Sequence, residues 1–326
     1  MSAALTKSRC TNLLKCYGNY ALSLLGLVRI SHAPLFASVE PASVCQLRCP
    51  ECPVGSGNPE FRNSGFPRLM SREVWQRTLS EVRKSAWGIQ FFFQGEPLLH
   101  PDLPTMIREA HDAGLYTIVS TNAQALTFKM ADALVRAGLN RIIVSMDGLT
   151  EESYNAYRVG GNLEKTKAAL RYLREAKNKF QISNFKFQIE LQCLRLRTNE
   201  HEWQAFQREY RALGADRLVF KTAQLYDYQN GHPLMPTNPR YSRYIQGEDG
   251  HYHLRRRPKT CWRAWSGCVI TTAGEVLPCC YDKSHAHAYG NIMNTPLREL
   301  FCSAVANTFR RAALHHQPQI CKECWK

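Results

Sequence analysis

From residue 35 onward, apolar runs of four or five residues alternate with stretches whose apolar positions recur every three or four residues. The first kind predicts buried parallel strands, the second amphipathic helices. A strand over 35–39 precedes a helix capped by Ser71, with Trp75, Leu79, Val82 and Ala86 on one face. Strand 89–93, apolar except at Gln90, leads to a helix over 106–113, Gly114 and a strand over 115–119. The phrase returns as helix 128–137, Gly138 and strand 141–144. A fifth strand passes through Ile189, and helix 199–213, Gly214 and strand 217–220 follow, with Asn199 and Glu202 read as a capping box. This repetition predicts six parallel βα units, enough for a partial barrel with one open side.

Each strand turns polar at its C-terminal end: Gln94 and Glu96, Ser120 and Asn122, Ser145 and Asp147, Glu190 and Gln192, Lys221 and Gln224. In βα barrels that end is the mouth where active sites are built. Ahead of the barrel, residues 13–30 are apolar and follow Lys7 and Arg9, superficially like a signal peptide. Asn19, Ser23, Gly26 and Arg29 interrupt the run, and it falls short of the roughly 20 apolar residues that a span requires. Residues 1–34 read as a helical extension capping the bottom or side of the barrel, with amphipathic contact to a membrane surface as the alternative.

A chain of 326 residues accommodates a large domain, here 35–225, and a smaller one. Thirteen cysteines without paired spacings argue for metal ligation in a reducing compartment, hence a cytoplasmic protein. The formal charge of +15 favours an anionic partner: a phosphorylated or nucleotide-linked substrate, an acidic peptide, nucleic acid or an anionic membrane. The run Arg255, Arg256, Arg257, Pro258 and Lys259 reads as a solvated part of a linker over 226–260.

Cys45, Cys49 and Cys52 stand with three and then two residues between them, directly after the first strand. Three thiolates from one short loop can reach three irons of a cubane 4Fe-4S cluster and leave the fourth iron without a protein ligand. Zinc would want a fourth ligand nearby, and the next histidine, His100, is far along the chain. A structural zinc or three unrelated buried cysteines are the other readings. By its C-x3-C-x2-C pattern the loop resembles the radical S-adenosylmethionine (SAM) superfamily.

The resemblance implies an α/β fold, a partial (βα)6 TIM-like barrel. It also implies an open iron that chelates the amino and carboxylate groups of SAM, and reductive cleavage to a 5′-deoxyadenosyl radical that abstracts a substrate hydrogen. Gln94-Gly95-Glu96-Pro97 resembles the family's Gly-Gly-Glu motif, which binds the methionyl ammonium, with glycine expected to let the backbone approach the ligand. Ser145-Met146-Asp147-Gly148 resembles its Ser-x-Asp-Gly segment, and Ser120 and Asn122 carry side chains suited to similar work. Tyr157-Arg158-Val159-Gly160-Gly161 is similar to its Tyr-Arg plus glycine segment, which makes Arg158 a candidate for the SAM carboxylate, against an ordinary helix-surface arginine. Ile189 stands where the family places an aliphatic residue on the adenine, with a core position as the alternative. Glu51 departs from the aromatic residue usual before the third cysteine, so adenine packing falls to Phe93 or Ile189.

Further on, residues 265–271 and 275–278 flank Thr272-Ala273-Gly274, a predicted hairpin with Cys261 and Cys279 at its open end. A helix over 296–301 leads towards the knuckle Cys321-Lys322-Glu323-Cys324. The arrangement resembles the SPASM or shorter twitch extension of radical SAM enzymes. That implies a small C-terminal α+β iron–sulfur domain over 261–326, with Cys261, Cys279, Cys321 and Cys324 holding one auxiliary 4Fe-4S cluster. Cys268, Cys280 and Cys302 leave a second auxiliary cluster open, and a zinc ribbon is the other reading of these cysteines. Cys10, Cys16 and Cys193 read as small core residues. Seven cluster thiolates and two cubanes would bring the formal charge to roughly +12.

The expected activity is an oxidation of a small, anionic substrate, with the auxiliary cluster accepting the second electron and flavodoxin or ferredoxin as reductant. Asp282, Lys221 and Tyr226 are placed for proton transfer. Peptide maturation is the alternative; the lack of a winged-helix pattern before Leu35 tilts towards a small molecule. A basic iron–sulfur or zinc protein that binds nucleic acid without catalysis is the remote alternative.

Overall fold

The computed structural model describes residues 6–57, 67–180, 187–255 and 261–324. The first half comprises α1 (Lys7–Leu24), β1 (Phe36–Val39), α2 (Pro53–Ser56), α3 (Arg72–Val82), β2 (Gly88–Phe91), α4 (Leu103–Asp112) and β3 (Tyr116–Thr121). Then come α5 (Phe128–Arg136), β4 (Arg141–Ser145), α6 (Glu151–Asn155), α7 (Leu163–Lys179), β5 (Gln188–Arg195), α8 (Trp203–Glu209) and β6 (Arg217–Thr222). The remainder holds the hairpin β7 (Tyr244–Gln246) and β8 (Tyr252–Leu254), α9 (Trp262–Ser266), β9 (Gly267–Ile270), β10 (Val276–Leu277), α10 (Leu297–Cys302), α11 (Ala304–Leu314) and α12 (Gln319–Lys322).

Strands β1 to β6 pair in sequence order, all parallel, as the βα repetition predicts. Alternate residues face the helices: Ala37, Val39, Ile89, Phe91, Val119, Ile142 and Val144 join Trp75, Leu103, Ile107, Leu134 and Leu170 in one buried core. Between them, Ser38 Oγ donates to Gln90 Oε1 at 3.4 Å. Ser71 and Thr127 cap α3 and α5 through their side chains, accepting from Val74 and Met130 N–H.

Three features depart from the sequence expectation. The C-terminal hairpin does not build its own sheet. β9 pairs parallel with β1, Phe36 opposite Gly267, and β10 adds antiparallel beyond it, giving one eight-stranded sheet. Residues 262–266, partly expected as strand, form α9, because Trp265 is fully buried and Trp262 packs on Tyr20 of α1. Asn199 and Glu202 do not form the expected box with one another; a 3-10 turn spans Arg197–Glu202, at whose start Asn199 Oδ1 accepts from Leu196 N–H, while Asn199 Nδ2 and the Glu202 carboxylate reach across to the loop after β4.

Helix α1 lies across the N-terminal ends of the strands. Arg9 donates to the Gly114 and Ala113 carbonyls at 2.7 and 3.0 Å, and Asn12 exchanges two bonds with the Ala33 backbone. The loops it ties, ahead of β1 and β3, lie at the opposite end from the strand ends that carry the polar residues. Of the basic run, only Arg255 falls among the described residues.

Candidate active site

Past β1 the chain enters the cysteine loop, closed by Cys52 N–H donating to Cys49 O at 3.2 Å. It is fixed from two sides. Arg48 N–H donates to Val159 O at 2.9 Å, and α2 lies so close that a Cβ on Gly55 would stand 2.6 Å from Cys49 N. No sequence pattern singles out Gly55. All three thiols are free of disulfides and line one cavity of about 370 Å³ at the C-terminal ends of the strands. Burial pushes the Cys45 thiol up to about 11 and raises that of Cys49, where the Arg158 guanidinium opposes it.

Of the residues expected at the cofactor, Gln94, Gly95, Glu96, Ser120, Asn122, Ser145 and Arg158 line that cavity. Glu96 is buried and already engaged: its carboxylate accepts from Thr121 Oγ1 (2.6 Å), Asn122 N–H (2.8 Å) and Leu98 N–H (3.1 Å). Asn122 extends the chain of contacts, donating to Cys45 Sγ at 3.4 Å and accepting from Gln46 Nε2 at 3.0 Å. Gly95 is required for packing of backbone on backbone: a Cβ there would meet Ala42 O at 2.0 Å, and Glu96 N–H donates to Val44 O. The expected close approach is therefore to the protein's own chain.

Arg158 is not a surface residue. Its Nε donates to Asp147 Oδ2 at 2.6 Å and its Nη1 lies 3.9 Å from Cys49 Sγ. Asp147 is fully buried behind it, its Oδ1 accepting from Leu194 N–H at 2.6 Å and its carbonyl from Asn199 Nδ2 at 2.8 Å. Glu202 holds the same loop through Leu149 N–H, Thr150 N–H and Ser153 Oγ. Asn199 and Glu202 are thus part of the site's support, which helix-capping grammar could not reveal because the loop they brace lies some 50 residues away in sequence.

Four expected site residues are not in the cavity wall. Asp147 lies behind Arg158, its Oδ2 2.6 Å from the guanidinium Nε. Ile189 packs in the helix-facing core opposite Ile142, three positions before Gln192, the residue of β5 that does line the cavity. Lys221 is exposed on β6, the edge of the open barrel. Asp282 is fully buried in the turn after β10, where its Oδ2 accepts from His287 N–H; its neighbour Lys283 lines the cavity instead. Tyr226 lines the wall, but burial pushes its phenol up to about 12, which suits donation and not proton removal near neutrality.

Two wall residues, Glu51 and Lys283, have no role in the sequence expectation. Glu51 serves the architecture of the mouth, since its carboxylate accepts from Tyr226 N–H at 2.6 Å and faces His232 Nε2 at 3.3 Å, pinning the segment after β6 to the cysteine loop. Lys283 Nζ lies 4.8 Å over the Phe93 ring, and Gln94 Nε2 donates to Lys283 O. Among the described residues Gln94 Oε1 is buried without a partner, an acceptor left over for a ligand in the cavity.

At the end of β1 stands Glu40, which sequence did not flag. Burial pushes its carboxyl up to about 7, against the opposing Gln94 and Thr272 N–H groups. Its folded value lies above the ordinary 4.5. The contribution is therefore present below that pH and is lost as pH rises through about 7, by about 3 kcal/mol in total. Urea midpoints of metal-free protein at acid and neutral pH should diverge accordingly, and Glu40→Gln should reduce that divergence.

The four cysteines of the second set lie within electrostatic reach of one another. Burial raises the Cys279 thiol well above its ordinary range, and Cys280, Cys261 and Cys321 add to the effect; Cys321 is raised to about 12 by burial, then by Cys261 and Cys324. Cys268 and Cys302 sit near Arg310, and the Cys302 thiol donates to His32 O. Among the described residues no three Cys, His, Asp or Glu side chains converge closely enough for a single metal ion, as zinc at about 2.3 Å from each sulfur would require. A cluster offering one iron per thiolate does not need that convergence, and neighbouring thiols outside disulfides are the donor set it takes.

Comparison with known proteins agrees with this geometry. A family model described as "Radical SAM superfamily" matches residues 39–185, and one described as "Iron-sulfur cluster-binding domain" matches 261–325. The chain is 28% identical over 270 residues to the PqqA peptide cyclase of Bradyrhizobium diazoefficiens, covering 76% of this chain and 66% of that protein. It is 27% identical over 315 residues to the PqqA peptide cyclase of Ruegeria pomeroyi, covering 90% and 80%. Among solved structures, native anSMEcpe with bound AdoMet superposes with a TM-score of 0.64 at 18% identity, covering 89% of each chain. With its cysteine loop at the mouth of a parallel partial barrel and a second cysteine set beside it, the chain belongs to the radical SAM superfamily and carries a C-terminal SPASM iron–sulfur domain.

Proposed function

We propose that the chain is an oxidoreductase that cleaves SAM reductively and takes a hydrogen from an anionic substrate. The single observation that carries this is the convergence of Cys45, Cys49 and Cys52 with Gln94, Ser145 and Arg158 on one cavity. When bound there, the 4Fe-4S cluster supplies the electron that splits SAM into methionine and a 5′-deoxyadenosyl radical. In this reading the three thiols hold the cluster, while Arg158, fixed by Asp147, offers Nη2 and the rest of Nη1 to a carboxylate. Gln94 Oε1 accepts from the ammonium of the methionyl group. Phe93 offers its face to the adenine, since Glu51 and Ile189 are occupied elsewhere. Lys283, on the auxiliary side of the cavity, meets the substrate's negative charge. Cys261, Cys279, Cys321 and Cys324 hold one auxiliary cluster, with all four thiols engaged, so that it relays an electron and does not ligate substrate.

A peptide is the second reading of the substrate, favoured by the relatives named PqqA peptide cyclase. The experiment is anaerobic reconstitution followed by SAM and dithionite, with 5′-deoxyadenosine measured by chromatography. Release of 5′-deoxyadenosine that needs both reagents and the iron-loaded chain is expected; its absence overturns the proposal. Faster release on adding a peptide bearing no acidic group would move the assignment to the second reading.

A further inference from the structure

Helix α1 is amphipathic in the inverted sense. Its docked face is polar, with Arg9, Asn12, Cys16, Asn19 and Ser23 buried at helical spacing against the barrel bottom. The opposite face carries Leu14, Tyr17 and Leu22, with Leu24, Leu25 and Leu27 at its end, each between 44% and 76% exposed. Folding alone gives no reason for this distribution, since the apolar side chains gain nothing from it and a contiguous exposed apolar surface marks an interaction site. Tyr17 stacks on Trp262 at 5.0 Å, placing an aromatic pair at the edge of the patch.

Beside this face runs a groove of about 500 Å³, whose wall includes Lys7, Lys15, Lys84 and Arg298 against one carboxylate, Glu81, among the described residues. The sequence agrees with the surface: residues 1–39 contain Lys7, Arg9, Lys15 and Arg29 and no Asp or Glu. We propose that α1 and this groove dock the enzyme on an anionic lipid bilayer. The leucine face enters the boundary between headgroups and acyl chains, and the groove receives a lipid phosphate. Among the described residues no helix is long and apolar enough to cross a membrane, so the contact is peripheral. A second copy of the chain fits less well, because two chains of formal charge +15 repel one another. The docked barrel bottom leaves the cysteine cavity, at the other strand ends, facing away from the lipid.

Flotation of the full chain with unilamellar vesicles tests this. Vesicles containing phosphatidylglycerol should carry the protein and pure phosphatidylcholine vesicles should not, with the difference shrinking as salt screens the contact. Leu14→Ser with Leu25→Ser, and separately Lys7→Glu with Lys15→Glu, should each lower the bound fraction at least about tenfold, with unchanged circular dichroism. All four positions are exposed, and the two double variants fail independently of one another. No flotation with anionic vesicles overturns the proposal. So does flotation undiminished in both variants, or a dimer in ultracentrifugation that the leucine variant abolishes. Protection of the groove lysines from acetylation by inorganic phosphate equal to that by vesicles assigns the groove to a soluble anion and overturns it as well.

Discussion

Replacing Cys45, Cys49 and Cys52 together by alanine is expected to abolish 5′-deoxyadenosine release while lowering iron from about eight to about four per chain. The three thiols sit on one loop, held by Arg48 N–H on Val159 O and by the close approach of Gly55, so their removal empties one site without touching the other. Cys261, Cys279, Cys321 and Cys324 stand at the start of α9, just after β10 and in or just after α12. Replacing that second set should have the complementary effect: about four irons remain, and SAM cleavage without substrate persists while turnover stops. Iron analysis and 5′-deoxyadenosine release are read on the same samples. Should the triple variant lose all its iron, or keep cleaving SAM, the division of the cysteines into two independent sites is wrong.

The grouping of these thiols into an early loop and a late set was legible in the sequence, because spacing is a local property. So was the barrel: period, glycine stops and polar strand ends all lie within a few residues of one another, and β1 to β6 pair as that grammar requires. What sequence could not supply is register between distant segments. β9 joins β1 across more than two hundred residues, so a hairpin that reads as part of a separate domain is an extension of the sheet. The motif residues are visible in the sequence, but not which atoms they face. Glu96 is met by three protein donors, Gly95 by Ala42 O, and Asp282 is turned inward while Lys283 faces the cavity. At Ile189 motif position and the two-residue strand period point to opposite faces, and the period prevails, giving the side chain to the core.

Asp147→Ala is expected to destabilise the metal-free protein by about 3–5 kcal/mol, seen as a lower urea midpoint. The carboxylate is fully buried and Arg158 is only 14% exposed along its side chain. Removing the acid therefore leaves a guanidinium in a poorly hydrated site, with the Cys49 sulfur 3.9 Å away in the cavity wall. It also strips Leu194 N–H of its acceptor and loosens the loop that Asn199 and Glu202 brace. An ion pair's net worth differs from the cost of breaking it, and the double variant separates the two. Asp147→Ala with Arg158→Met removes both charges and should regain most of the lost stability, while SAM cleavage stays impaired because no guanidinium remains beside Cys49. Recovery of stability without recovery of cleavage assigns Arg158 to the ligand and Asp147 to holding it. A loss below about 1 kcal/mol in the single variant would place the pair in the range of solvent-screened surface contacts, and the positioning role of Asp147 would then fall.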